Sequence, residues 1–159
     1  MKIRKYQVEL DKNKHNKLIR EKTYEYQTDK KCNRPDIVTD MLQKTIRLHK
    51  QAEEHLYLIA LDAKCDVLGL FEISHGTATE AYGKPREILI RALLCGATNL
   101  ILAHNHPSGD ETPSIQDATT KNRIEEACAL VGIGFLDFII LGEHYYSFQE
   151  HNRMSNTPQ

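Results

Sequence analysis

The chain has 159 residues, 40% of them hydrophobic and 27% charged, and a formal net charge of −1. This is the size of one ordinary domain, long enough to bury a core, with a soluble globular composition. No apolar run approaches the ~20 residues of a membrane helix, and the start Met1-Lys2-Ile3-Arg4-Lys5 has no signal-peptide core behind it, so a cytoplasmic protein with no membrane contact is expected.

Four cysteines, Cys32, Cys65, Cys95 and Cys128, are singly spaced. No C-x-x-C pair exists, so neither a zinc finger nor a redox pair is suggested, and free thiols in a reducing compartment are expected. Charge is distributed unevenly. Residues 1–36 hold eleven Lys/Arg and six Asp/Glu; the remainder holds ten and sixteen. A basic N-terminal extension, residues 1–34, therefore precedes an acidic body. It reads either as a solvated, partly mobile arm or as a contact for nucleic acid or an acidic partner. Its Lys, His, Asn and Glu are mixed rather than blocked, which favours the solvated arm.

In chain order, residues 2–10 alternate with Ile3, Tyr6, Val8 and Leu10, which predicts a short strand with one slip of register. Residues 11–34 are polar, and two short stretches, 17–20 and 23–26, have the composition to pair. Pro35-Asp36 opens a helical pattern carrying Ile37, Met41, Leu42 and Ile46, expected to end near Glu53-Glu54. A hairpin follows, with strands at 55–62 and 67–73 about the turn Ala63-Lys64-Cys65-Asp66. Residues 74–83 read as a loop suited to substrate contacts. Pro85 starts a second helix that Gly96 stops. Residues 100–106 form an apolar strand ending in His104-Asn105-His106. After the loop 107–113, Ser114 opens a third helix to about Val131, with Ile115, Ala118, Ile124, Ala127, Cys128 and Val131 broadly on one face. A last hairpin, 135–141 and 145–149, precedes a frayed tail at 151–159. This order predicts an α/β fold with a mixed sheet flanked by helices.

The chemistry concentrates at His104-Asn105-His106-Pro107-Ser108-Gly109-Asp110, followed by Ser114 and Asp117. Residues i and i+2 of a strand face the same side, so both imidazoles can address one atom. Pro107 holds His106 out of the helical region. Asp117, eleven residues after His106, can supply a third ligand. Two His and one carboxylate, with a fourth position for water, form the ligand set of a hydrolytic zinc site. Ser114-x-x-Asp117 also reads as a helix capping box, which by itself would account for both residues.

The pattern H-x-H-P, six residues, then S-x-x-D resembles the JAMM (MPN+) metalloprotease signature at every fixed position. The string His-Asn-His-Pro-Ser-Gly-Asp, with Pro113-Ser114-Ile115-Gln116-Asp117, resembles more specifically the JAB-type domain of the RadC family. Similarity extends upstream through 54–62, 73–77 and Pro85-Arg86-Glu87, and downstream through Gly132-Ile133-Gly134, 136–142 and Tyr146-Ser147, so it covers roughly residues 36–150.

The resemblance implies the JAB/MPN (cytidine-deaminase-like) architecture over residues 35–150. It implies zinc held by His104, His106 and Asp117, and Glu54 as general acid/base, with Glu53 the fallback. Ser114 would help stabilise the oxyanion, and an amide bond in a peptide or protein would be the substrate. Asn105 is the residue the RadC family shows between the two histidines. Asp110 would shape the loop or support a ligand. Lys84 departs from the family's usual His before Pro-Arg-Glu. The family also carries a DNA-repair label, yet residues 1–50 lack the helix-hairpin-helix pattern of its usual N-terminal region. A non-catalytic MPN-type binding module is the remaining alternative; such domains typically lack the ligands present here.

Overall fold

A computed structural model of the chain describes residues 1–76 and 83–154. One seven-stranded mixed sheet organises it. The elements are β1 (Lys2–Leu10), β2 (Asn16–Glu25), α1 (Pro35–Thr45), β3 (Glu54–Leu61), β4 (Val67–Gly76), α2 (Pro85–Leu94), β5 (Asn99–Asn105), α3 (Ile115–Val131), β6 (Gly134–Leu141) and β7 (Tyr145–Ser147). Strand order across the sheet is β2-β1-β4-β3-β5-β6-β7. β1 runs parallel to β4 and β5 parallel to β6; the other neighbours are antiparallel. This is the α/β, JAB/MPN type of architecture expected.

Both faces of the sheet are covered, which is why its central strands are nearly continuously apolar. On one face, Ile37, Val38, Met41 and Leu42 of α1 pack on Tyr57, Ile59, Leu61, Ile101 and Ala103. On the other, Ile88 and Ala92 of α2 and Ile124 and Cys128 of α3 pack on Leu56, Leu58, Leu100, Leu102 and Phe138. Alternation along β3 and β5 assigns each residue to its layer, and so assigns the polar residues at their ends.

Four expectations are corrected. α1 ends at Thr45, not near Glu53-Glu54. Arg47 there takes a left-handed conformation, φ 54°, and a single 3-10 turn, Leu48–Lys50, follows. The N-terminal segment is not a mobile arm: β1 and β2 form a long hairpin joined to the sheet, with Ile3 and Tyr26 in the core. The apparent slip in β1 arises because Ile3 packs in the α1 layer while Tyr6 stacks on Phe71 in the other. β4 extends three residues further than read, to Gly76, so 74–76 are strand; residues 77–82 of the expected loop lie outside the described residues, as do 155–159 of the tail. Finally, Ile115 and Val131 are exposed. The inward stripe of α3 is instead Asp117, Thr120, Lys121, Ile124 and Cys128.

The C-terminal end of the sheet is held by a buried carboxylate. The Ser147 hydroxyl donates to Asp137 Oδ2 at 2.6 Å and the Gln149 N–H to Oδ1 at 3.0 Å. Burial nonetheless pushes the Asp137 carboxyl up to about 6. A carboxyl raised in the folded state binds its proton there while the unfolded chain has released it, so stability falls as pH rises between the two values. Relative to Asp137→Asn, the wild type is expected to lose roughly 2–3 kcal/mol between pH 4 and pH 7. Denaturant unfolding of both proteins across that range checks it, and a pH-independent difference would overturn the assignment.

Candidate metal centre

β5 ends in the layer of α2 and α3. Leu100 and Leu102 line that layer, and His104 continues their row. His104 is buried against Phe138, ring centroids 5.2 Å apart, and meets His106 edge to face at 4.8 Å. His106 lies just past the strand, and its N–H still reaches the Leu141 carbonyl at 2.8 Å. Its ring is oriented by the following loop: Nδ1 is 2.7 Å from the Asp110 carbonyl oxygen. A carbonyl only accepts, so Nδ1 carries the proton and Nε2 presents its lone pair inward. The tight turn behind this contact places Gly109 at φ +86°.

Asp117 meets both imidazoles. Oδ1 lies 3.0 Å from His104 Nε2, and Oδ2 lies 3.5 Å from His106 Nε2. The capping box is formed as well. Ser114 N–H and the Ser114 hydroxyl each donate to Oδ2 at 2.7 Å, and Asp117 N–H donates to Ser114 Oγ at 3.0 Å. The cap uses Oδ2 and leaves Oδ1 facing His104, so capping does not occupy the oxygen that a cation would need.

Glu54, first residue of β3, completes the cluster. Its Oε1 is 3.8 Å from His104 Nδ1 and 3.7 Å from His106 Nε2. Glu53 points elsewhere, to His75 Nε2 at 3.8 Å, and is mostly exposed. The geometry thus places Glu54, the preferred glutamate, beside the histidines and its fallback Glu53 outside the cluster.

The residues fit a divalent cation. Glu54, His104 and His106 bring one ligand atom each within 4.8 Å of one another. Asp117 Oδ1 is buried and faces His104 Nε2 at 3.0 Å, so this oxygen needs either a proton on that ring or a cation beside it. Burial works against charge on Asp117, but His104, His106 and Ser114 overcome it and hold the carboxyl well below the usual carboxylate range. The contact with Asp117 raises His106, against an opposing effect of burial.

Residues 32–153 match the family model of the RadC-like JAB domain. The chain belongs to that family. It is 37% identical over 108 residues to a UPF0758 protein of Rubrobacter xylanophilus, covering 68% of this chain and 48% of that one. It is 37% identical over 121 residues to a UPF0758 protein of Alkaliphilus metalliredigens, 76% and 51%, and 34% over 133 residues to one of Chlorobium phaeovibrioides, 83% and 59%. The chain thus spans about half the length of the curated relatives it matches.

In this RadC-like domain the remaining motif residues have defined places. Asp110 contributes its backbone carbonyl to His106, while its side chain accepts from Thr112 N–H. Lys84 and Arg86 are surface residues at the start of α2. Asn105 has a role that the sequence did not disclose. Its side chain points away from the histidines, accepts the His55 N–H at 2.8 Å, and donates to the Gln51 and Glu53 carbonyls at 3.3 and 2.9 Å. It clamps the segment that delivers Glu54. The available signal was a polar residue alternating out of the metal face of an apolar strand.

Asn105→Ala is expected to cost about 2–3 kcal/mol, since three hydrogen bonds are lost at a buried position. Chemical denaturation measures this, and a loss under about 0.5 kcal/mol, the range of an ordinary surface change, would contradict the clamp.

Proposed function

We propose that the chain is a zinc-dependent hydrolase of the JAMM type, cleaving an amide bond in a peptide or protein as a peptidase or isopeptidase. The observation that carries this reading is the convergence of His104 and His106 with the carboxylates of Glu54 and Asp117 in one partly buried cluster, with the His106 ring fixed so that Nε2 faces inward. His104, His106 and Asp117 would hold the ion. Zinc supplies a Lewis acid and lowers the pKa of water from ~16 to about 7.

The side chains divide the rest of the work. Glu54, partly exposed and close to both histidines, takes a proton from water and returns it to the leaving amine. Ser114 faces the centre through Asp117. Its N–H alone can maintain the bond to Oδ2, which releases the hydroxyl to donate to the developing oxyanion. His104→Ala and Asp117→Ala are each expected to bind one zinc fewer per chain than wild type. Glu54→Gln should retain wild-type zinc and lose about 10²–10⁴ in peptide hydrolysis. Metal analysis beside a peptide and isopeptide screen tests this. Equal zinc in wild type and both ligand variants would overturn the reading; zinc binding without hydrolysis of any such substrate would leave the binding-module alternative.

A second reading, nucleic-acid contact, is favoured by the exposed cations of the β1–β2 hairpin: Lys12, Lys14, Lys17, Arg20 and Lys22. Because this hairpin belongs to the sheet, charge reversal tests it better than deletion. Duplex DNA binding at low salt is expected, falling steeply with salt and lost in K12E/K14E/K17E. Absence of binding at low salt would remove this reading. Among the described residues no helix is long and apolar enough to cross a membrane.

A further inference from the structure

The far end of β4 carries a cluster that the site above does not use. Leu56 pairs with Ser74 but Tyr57 pairs with Glu72, so Ile73 is an extra, bulged residue in the β3–β4 ladder. In a regular strand, residues three apart point to opposite faces. The bulge brings Glu72 and His75 to one face. His55, directly opposite His75 on β3, joins them there. Glu54, the preceding residue, faces the other side of the sheet.

These side chains are in contact. Glu72 Oε1 lies 2.8 Å from His55 Nδ1 and 3.6 Å from His75 Nδ1. The two rings stack at 5.2 Å, 15° from coplanar. The second carboxylate oxygen is otherwise engaged: Lys5 Nζ donates to Oε2 at 3.2 Å and the Tyr57 hydroxyl at 3.3 Å. This fixes the carboxylate with Oε1 turned to both imidazoles. Lys5 is also paired with Glu21 at 3.3 Å, and Glu53 stands 3.8 Å from His75 Nε2. Glu21 and Glu72 thus share one ammonium, and Glu53 adds a carboxylate beside His75, which leaves negative charge for a cation.

We propose that His55, Glu72 and His75 form a second site for a divalent transition-metal ion, with zinc as the probe. Two imidazoles and one carboxylate are a donor set for zinc and its borderline neighbours rather than for calcium or magnesium. The three ligand atoms lie within 4.8 Å of one another. Ligands held at about 2.0–2.2 Å around a tetrahedral ion sit roughly 3.3–3.6 Å apart, so the 2.8 Å His55–Glu72 pair would open slightly while the third ligand makes a small inward turn. His75, the most exposed of the three, can make it, and its open side leaves room for water on the ion.

The test separates the two sites. Zinc is titrated by calorimetry into the full chain, into H104A/D117A, into His75→Ala, and into the triple combination. Two zincs are expected for wild type, one for H104A/D117A, one for His75→Ala, and none of comparable affinity for the triple variant. Losing an outer-shell partner alone typically costs 10–100-fold, so loss of a ligand should weaken the second site at least about tenfold. Zinc binding to H104A/D117A that is unchanged by His75→Ala, or absent, overturns the second site. Should H104A/D117A fail to fold, wild type against His75→Ala decides: an unchanged stoichiometry is equally fatal. A single zinc in wild type that His75→Ala removes and H104A/D117A retains would uphold this site while sinking the proposed catalytic one.

Discussion

The pleat at the end of β5 is the constraint on which the rest depends. His104-Asn105-His106 must place two rings in one layer and an amide in the other. The rings meet Asp117 and Glu54; the amide holds the backbone from Gln51 to His55. Glu54 arrives on a different strand, after a 3-10 turn and an irregular segment. The Asn105 bonds join that segment to β5 beyond what the β3 ladder and the Gln51 bonds to Ile46 and Leu48 supply. A one-residue slip of β5 would exchange the layers, burying the amide among the helices of α2 and α3 and turning both rings toward α1.

Asp117 is placed to meet two demands at once. A helix start needs acceptors for its free N–H groups, and a metal centre needs an anionic oxygen. The carboxylate divides them by atom: Oδ2 receives the bonds of the cap, and Oδ1 faces His104. The cap also fixes the rotation of α3. With Asp117 turned inward, Ile124 and Cys128 follow it at helical spacing, and Ile115 is forced outward. This is why the apolar count along α3 misread its face: a buried ionisable residue, not the sum of hydrophobic ones, sets the inward stripe.

What was legible in the sequence follows the same logic. Strands β3, β5 and β6 are apolar runs bounded by turn residues, and Pro35, Pro85 and Ser114 mark helix starts by local chemistry. The pair His104 and His106 needed only the strand period. The preference for Glu54 over Glu53 came from the resemblance; hydrophobic periodicity could not supply it, because where β3 begins depends on α1 stopping at Thr45. That stop has no Gly or Pro to announce it, because Arg47 adopts the left-handed conformation instead. The length of β2 and its place in the sheet were hidden by its polarity. It is an edge of the sheet, where Lys and Arg on the outer strand are tolerated and discourage pairing with another chain.

The strand β3 therefore serves two layers at once. Glu54 and His55 are adjacent, and the pleat sends one to each face. The Glu54 side is assembled from distant elements, β5 and α3, and its His104 and Asp117 are deeply buried. The His55 side is local, made within one hairpin by a bulge at Ile73 and anchored through Lys5 of the neighbouring strand. A buried, long-range cluster is rigid because moving any member disturbs the core around it. A hairpin cluster at a sheet end has fewer such restraints, and Glu72, gripped by Lys5 and Tyr57, supplies most of them. The hairpin β1–β2 thereby reaches the site region through Lys5. An N-terminal segment read as a short strand followed by a polar stretch is tied, through one ammonium on Glu72, to the hairpin that carries Glu54.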